Sequence, residues 1–278
     1  MTRTDKLAEA HERLTRAVEE IVSGEDWQQM LAVAARFHRY SSANVMLIRA
    51  QRPDATRVAG YRTWQSLGRQ VRKGEKGIAI LAPCVYRARP VDEADEERSP
   101  ELARILRGFT VVHVFDQSQT EGRPIREVAP ILLEGDAPGA LWECLAAQVH
   151  AAGFSLSRGD CSPANGRTDF AARTVVVAAD LAPAQSAKTL AHELGHILMG
   201  HDGTEYATGW RGRAEVEAES VAFLVCSTAQ LSTDGYSFPY VAGWADTPEV
   251  VRATAEAVIG CARRILDTAG LLDTEAAA

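Results

Sequence analysis

The stretch Thr189-Leu-Ala-His-Glu-Leu-Gly-His-Ile-Leu-Met199 decides how this chain is read, and its centre, His192-Glu193-Leu194-Gly195-His196, has the form H-E-x-x-H. Residues four apart on a helix share a face, so His192 and His196 aim two imidazoles at one point. Such a pair suits Zn2+, which takes nitrogen ligands at about 2 Å, with Mn2+ as the alternative ion. Glu193 follows about 100° further round the axis, where as a general base it can take a proton from a water beside the metal. The flanks fit a helix. Ala184 to Ala191 leads in, Leu190, Leu194, Ile197 and Leu198 form an apolar stripe, and Gly200 offers a stop. The bland alternative is a solvated helix face that carries two histidines, and a third ligand decides between the readings.

Candidates for that ligand lie downstream in Ala214-Glu-Val-Glu-Ala-Glu-Ser-Val-Ala-Phe-Leu-Val225, which reads as a second helix. Glu215 and Glu219 share a face, whereas Glu217 points elsewhere and reads as a solvated carboxylate. The eighteen residues 197–214 include Gly200, Gly203, Gly209 and Gly212, enough to turn the chain back antiparallel. A carboxylate from that helix completes a site of two histidines and one glutamate with a fourth position open. With Glu215 as ligand, Glu219 is left to hold a ligand imidazole in one tautomer; on spacing alone the reverse assignment stays open. A competing zinc pattern has glycine at position 199 and a ligand close behind. Here residue 199 is Met, Asp202 stands where that ligand would be, and the adjacent His201 reads as a surface histidine.

With 278 residues, 46% of them hydrophobic, the chain has material for one large or two ordinary domains. No run approaches a membrane span, and Met1-Thr-Arg-Thr-Asp5 leads into a charged helix rather than a signal peptide, so no membrane partner is expected. Five scattered cysteines without C-x-x-C spacing point to a reducing cytoplasm and to no thiolate metal site. The net charge of −7 hides an asymmetry: residues 1–120 hold 19 Lys+Arg against 16 Asp+Glu, and residues 121–278 hold 11 against 21. Within 36–89, 12 basic residues face only Asp54 and Glu75. Cations and aromatics interleave there. Cations bind phosphates and ring faces stack unpaired bases, which favours single strands over duplex. Trp27 and Phe37 read as core.

Amphipathic helices are expected over 5–22, 26–40 and 43–50, a short one near 63–67, a turn at 73–77, and a strand at 78–81 with a further segment at 84–89. Residues 91–107 read as an exposed acidic loop, and 109–115 as a strand able to pair with 78–81. The Gly- and Pro-rich run 117–138 reads as a linker. Then come a helix over 139–153, a loop over 154–168, and a strand over 173–178 whose edge can hold substrate backbone. The two metal helices follow, then an aromatic loop over 232–245 and a closing helix over 247–271.

His192 to His196 followed by Glu215-Val-Glu-Ala-Glu219 resembles the gluzincin pattern of zinc metallopeptidases, and more closely the ImmA/IrrE-type domains. That resemblance implies Glu215 as the third ligand and Glu219 as its supporting neighbour. Tyr40-Ser-Ser-Ala-Asn-Val-Met-Leu-Ile48, Gly60-Tyr-Arg-Thr-Trp64, Val71-Arg-Lys-Gly-Glu-Lys-Gly77 and Val114-Phe-Asp-Gln-Ser-Gln-Thr120 resemble the N-terminal single-stranded-DNA-binding domain of ArdC-type antirestriction proteins. Those proteins join it to a C-terminal metallopeptidase-like domain, the order seen here. The nucleic-acid-binding candidates are Tyr40, Asn44, Arg62, Trp64, Arg69, Arg72, Lys73 and Lys76. The expected fold class is α+β: a helix-rich domain with a small antiparallel sheet (1–120), a linker (121–138), and a zincin-like metallopeptidase domain (139–278).

Two functions are expected. One is a zinc metallopeptidase acting on a peptide or protein substrate, such as proteins associated with mobile-element DNA. In it Glu193 is base and then acid, and Tyr236 or Tyr240 steadies the oxyanion. The other is a single-stranded-DNA-binding antirestriction protein whose metal site is structural.

Overall fold

The structure, a computed structural model, describes residues 2–87, 104–124, 137–202, 211–233, 236, 238 and 244–272. Three helices open the chain: α1 (Arg3–Glu19), α2 (Gly24–Arg36) and α3 (Ser42–Gln51). Thr2, Ser23 and Ser41 start them, each side-chain oxygen accepting a backbone N–H three residues on. There follow β1 (Val58–Gly60), the short α4 (Tyr61–Ser66), β2 (Arg69–Val71), β3 (Ile78–Arg87), β4 (Arg104–Asp116), a 3-10 turn at Gln117–Gln119, and β5 (Thr120–Gly122). β4 lies between β1 and β3 in an antiparallel sheet, and β2 pairs antiparallel with β5. The expected hairpin is present but longer. β3 runs on past an irregularity between Pro83 and Val85, and β4 takes up residues 104–107, which read as loop. The rest of the acidic run, 91–103, falls outside the described residues.

β3 is an edge strand, and α3 seals it. Asn44 donates Nδ2–H to Leu81 O and accepts Leu81 N–H at Oδ1, both at 2.9 Å. Gln51 does the same on Ala79, again at 2.9 Å in both directions. Two side-chain amides thus stand where another strand would pair. Asn44, expected at nucleic acid, is 8% exposed and committed to this edge.

The second half begins with α5 (Ala137–Ala151), then β6 (Ser155–Gly159), β7 (Gly166–Asp169), β8 (Thr174–Ala178), α6 (Pro183–Met199), α7 (Arg211–Thr228) and α8 (Pro248–Thr268). β8 is the middle strand, parallel to β6 and antiparallel to β7. This corrects the reading of 154–168 as loop. Ser155-Leu-Ser-Arg-Gly and Gly166-Arg-Thr-Asp have no apolar alternation of their own; pairing with the buried Val175 and Val177 makes them strands. It also moves the free edge from β8 to β7.

One hydrophobic cluster runs through both halves. α2 packs on α7: Trp27 is fully buried, donates Nε1–H to Ser220 Oγ at 2.9 Å, and meets Trp244 edge-on at 4.9 Å. Arg263 of α8 donates to His38 O and Tyr40 O, both at 2.6 Å. The helices of the first half therefore brace the helix that carries the glutamates. No described helix is long and apolar enough to cross a membrane.

The corner after β4 is locked by Asp116 and Gln119. Asp116 Oδ1 accepts from Thr56 N at 2.7 Å and Arg57 N at 3.1 Å, and Oδ2 from Ser118 N at 2.7 Å. Gln119 accepts Asp116 N–H at 2.9 Å and donates to Lys76 O at 2.8 Å, tying the corner to the 73–77 turn. Burial opposes the Asp116 charge, but the hydrogen bonds from Ser118, Thr56 and Arg57 outweigh it and hold the carboxyl below its ordinary 3.8. Asp116→Ala leaves the Thr56 and Arg57 amides unpaired, and denaturant melts should show a loss of about 1–3 kcal/mol. A carboxyl depressed on folding contributes above its unfolded pKa and stops contributing as pH falls through the folded one. The gap between wild type and variant should therefore close in acid, below about pH 3.8.

Candidate metal centre

α6 begins with Pro183 in its first turn and ends on Gly200 at φ 74°, the left-handed stop its sequence called for. Gly195 faces α7. A Cβ there would lie 3.3 Å from Ala218 Cα and 3.4 Å from Val221 Cβ, so the helices meet nearly backbone to backbone. Glu215, on the turn of α7 before Ala218, then reaches the imidazoles. His192 Nε2 and His196 Nε2 are 3.0 Å apart, and Glu215 Oε2 is 3.4 Å from the first and 3.7 Å from the second. Donors held about 2.0–2.1 Å from a tetrahedral ion stand about 3.3–3.4 Å from one another, a value these three spacings bracket. Among the described residues no other group of His, Cys, Asp or Glu has metal-ligand spacing.

A second layer fixes the ligands. Glu219 Oε2 lies 3.2 Å from His192 Nδ1, and Lys188 Nζ holds the other oxygen at 2.9 Å. An ionised carboxylate only accepts, so Nδ1 carries the proton and Nε2 is free to ligate. His196 Nδ1 lies 2.9 Å from His201 Nδ1, and His201 Nε2 lies 2.9 Å from Glu217 Oε2. Glu217 in turn accepts from Arg213 Nε at 2.8 Å. The same logic runs outward in: a neutral His201 that donates to Glu217 accepts at Nδ1 from His196 Nδ1–H, which turns His196 Nε2 toward His192. His192 Nε2 and His196 Nε2 stand 3.0 Å apart, close enough to share one proton or one cation. Glu217, read as solvated, is buried, and His201, read as a surface histidine, lies directly behind a ligand. Burial opposes the Glu217 charge, and the His201 and Arg213 hydrogen bonds outweigh it.

The donors line a cleft of about 1070 Å3 together with β7 and its flanking residues. Glu193 is 7% exposed, and Thr168 Oγ1 on β7 donates to its Oε2 at 2.6 Å. Gly166 permits the approach: a Cβ there would lie 2.6 Å from Thr189 Cγ2 and 2.8 Å from Glu193 Oε1. The edge strand thus presses against α6 and fixes the direction of Glu193. Neither the polar run around Thr168 nor the position of His201 after the helix stop signals these roles in the sequence. Tyr236 is buried against Phe223, its ring 3.7 Å from Lys188 Nζ, and does not line the cleft; Tyr240 lies outside the described residues.

The nucleic-acid candidates scatter. Trp64 is 0% exposed and donates Nε1–H to Phe115 O at 2.8 Å, which corrects its reading as a stacking residue. Tyr40 is half-buried, its hydroxyl donating to Val58 O at 3.3 Å. Arg69 turns in to Thr120 and to Arg123 O. Arg72 bonds Glu75 and Ser118 O. Arg62, Lys73 and Lys76 are exposed.

Fold and site together define a metallopeptidase-like domain joined to an N-terminal domain of helices and a small antiparallel sheet. Residues 143–231 match the IrrE N-terminal-like domain of peptidase family M78, and residues 2–115 match the N-terminal domain of anti-restriction factor ArdC. The two matches follow one another in the order expected of ArdC-type proteins, an ArdC N-terminal domain and then an M78 peptidase-like domain. The metal-free crystal structure of the antirestriction ArdC protein from plasmid R388 is similar in fold, with a TM-score of 0.52 at 19% identity over 84% of this chain and 86% of that one. Its Mn(II)-bound crystal structure gives 0.49 at 20% identity over 88% and 99%. An uncharacterized protein of Bacillus anthracis is 22% identical over 268 residues, which take in 80% of this chain and 43% of that one. The chain therefore spans less than half the length of that relative.

Burial opposes the charge of His192, but the Glu215 and Glu219 hydrogen bonds and the Glu193 charge outweigh it and lift its pKa to about 9. A raised histidine contributes fully below its unfolded value near 6.5 and stops contributing as pH rises through about 9. The chelated protein should lose stability over that interval. Metal uptake near neutral pH should release the His192 proton, measurable in weak buffer, and should tighten as pH rises. Glu215→Gln should abolish stoichiometric binding, while Glu219→Gln and His201→Ala should weaken it about 10–100-fold in a chelator competition.

Proposed function

We propose that the chain is a metal-dependent peptidase of the cytoplasm that works on single-stranded DNA, with residues 1–120 as the strand-binding unit and 139–278 as the hydrolase; of the expected linker 121–138, residues 121 and 122 belong to β5 of the first unit and 137 and 138 to α5. His192, His196 and Glu215 hold the ion, Zn2+ by donor set and spacing, with Mn2+ as the alternative. When bound, such an ion acts as a Lewis acid and acidifies water at the site. Glu193 takes the proton of the attacking water and delivers it to the leaving amine. Thr168 holds Glu193 in line for both transfers. A substrate in extended form pairs with the free edge of β7 at Gly166–Asp169, in place of the β8 edge. The observation that carries this reading is the Thr168–Glu193 hydrogen bond: a structural metal site has no need of a fixed carboxylate beside its ligands.

A second reading keeps strand binding and antirestriction and makes the metal structural. It is favoured by the bracing of α7 by Trp27 and of the 38–40 turn by Arg263, through which an ion on Glu215 would stiffen both halves.

Glu193→Gln separates the two. The variant should keep stoichiometric metal and lose peptide hydrolysis by about 100-fold or more, assayed on a peptide library or on casein. Undiminished turnover would remove Glu193 from the reaction, and hydrolysis absent from the wild type would favour the structural reading. Strand binding should weaken linearly in log affinity against log salt in gel shifts with oligo-dT, and a flat response would exclude phosphate contact.

A further inference from the structure

The outward face of the first sheet carries a strip that the roles above leave unused. Alternate residues of a strand share a face, so Phe109, Val111, His113 and Phe115 of β4 line one side while Val114 packs inward. Phe109 is 44% exposed, and Tyr61, 43% exposed, stands at the far end with its ring edge-on to Phe115 at 6.5 Å. Gly77 brings the basic turn down onto this strip. A Cβ there would lie 2.8 Å from His113 Cβ and 3.1 Å from Phe115 Cζ.

Two hollows open along the strip. One, about 560 Å3, lies between α1, the end of α3 and β4, and gathers Lys6, Arg13, Arg52 and Lys76 beside His113, with Glu9 as its carboxylate. Arg13 pairs with Glu9 at 2.9 Å, which leaves Lys6, Arg52 and Lys76 as excess positive charge. The other, about 520 Å3, is walled by Tyr61 and Phe115, with Arg72 and Lys73 balanced by Glu75 and Glu121. The first is cationic and the second aromatic, and adjacent positions on one face of β4, His113 and Phe115, join them.

We propose that this strip is the path of a single nucleic-acid strand, with phosphates beside Lys6, Arg52 and Lys76 and unpaired bases on His113, Phe115 and Tyr61. The proposal rests on the strand-binding reading above and replaces Tyr40, Asn44 and Trp64 as contacts. Ring faces accept any base, and cations neutralise phosphates without regard to sequence. A duplex hides its base faces and gains only the phosphate contacts.

The test cross-links oligo-dT carrying 5-iodouracil to the full chain and maps the attachment sites by mass spectrometry. Affinities of Tyr61→Ala and Lys76→Glu are measured beside Arg252→Glu, an exposed charge on α8 that serves as control. Both test positions are on the surface, and thermal melts check that the variants fold. Cross-links at Tyr61, His113 or Phe115 are expected. So are a weakening of about 5- to 100-fold for Tyr61→Ala and a greater loss for Lys76→Glu than for Arg252→Glu. Wild-type binding with cross-links elsewhere and unchanged affinity in both variants overturns the path while strand binding stands. No binding by the wild type overturns both.

Discussion

The close approach of α6 and α7 at Gly195 is the constraint on which the site depends. A Cβ at that position would stand 3.3 Å from Ala218 Cα and 3.4 Å from Val221 Cβ, tighter than ordinary packing, so the glycine is what lets the two helices lie this close. Because Gly195 sits inside the H-E-x-x-H segment, one pentapeptide both supplies two candidate ligands and admits the third. The 3.0, 3.4 and 3.7 Å triangle of donor atoms is built across that contact, two from α6 and one from α7.

Around the triangle the chemistry is arranged in shells of decreasing exposure to choice. Each ligand imidazole is pinned at Nδ1, one by Glu219 and the other through His201 to Glu217, so both present Nε2. Each outer carboxylate is itself held by a cation, Lys188 or Arg213. Preorganisation of this kind removes the tautomer and rotamer freedom that would otherwise weaken a three-ligand site. The first half of the chain contributes from behind, since Trp27 on α2 locks onto Ser220 of the glutamate helix. Helices whose sequence lies far from the metal motif thus set its rigidity.

Much of this was legible in the sequence where local physics decides. Helical spacing found His192, His196 and the Glu215/Glu219 face, and Gly200 marked the helix end. β-branched Val175 to Val177 announced β8 and the apolar run from Ile78 announced β3. What failed was decided by tertiary contact. β6 and β7 are polar strands that exist by pairing with β8, and no periodicity betrays them. His201 becomes a supporting residue only because the left-handed turn at Gly200 folds it back beneath His196. Glu217 looked solvated by its place between two facing glutamates, yet α7 is covered on more than one side. The i,i+4 Arg213 was the available signal. Composition found the basic half but could not say which aromatics face outward. Trp64 is core, and the strand alternation through Phe115 is the better guide.

X-ray absorption at the metal edge of the purified, zinc-loaded protein tests the centre most directly. The account predicts one ion per chain in a shell of nitrogen and oxygen at about 2.0–2.2 Å, with multiple scattering from two imidazoles and a first shell that loses one imidazole in His196→Ala. A sulfur shell near about 2.3 Å, or a shell of oxygen alone that His196→Ala leaves unchanged, would contradict it.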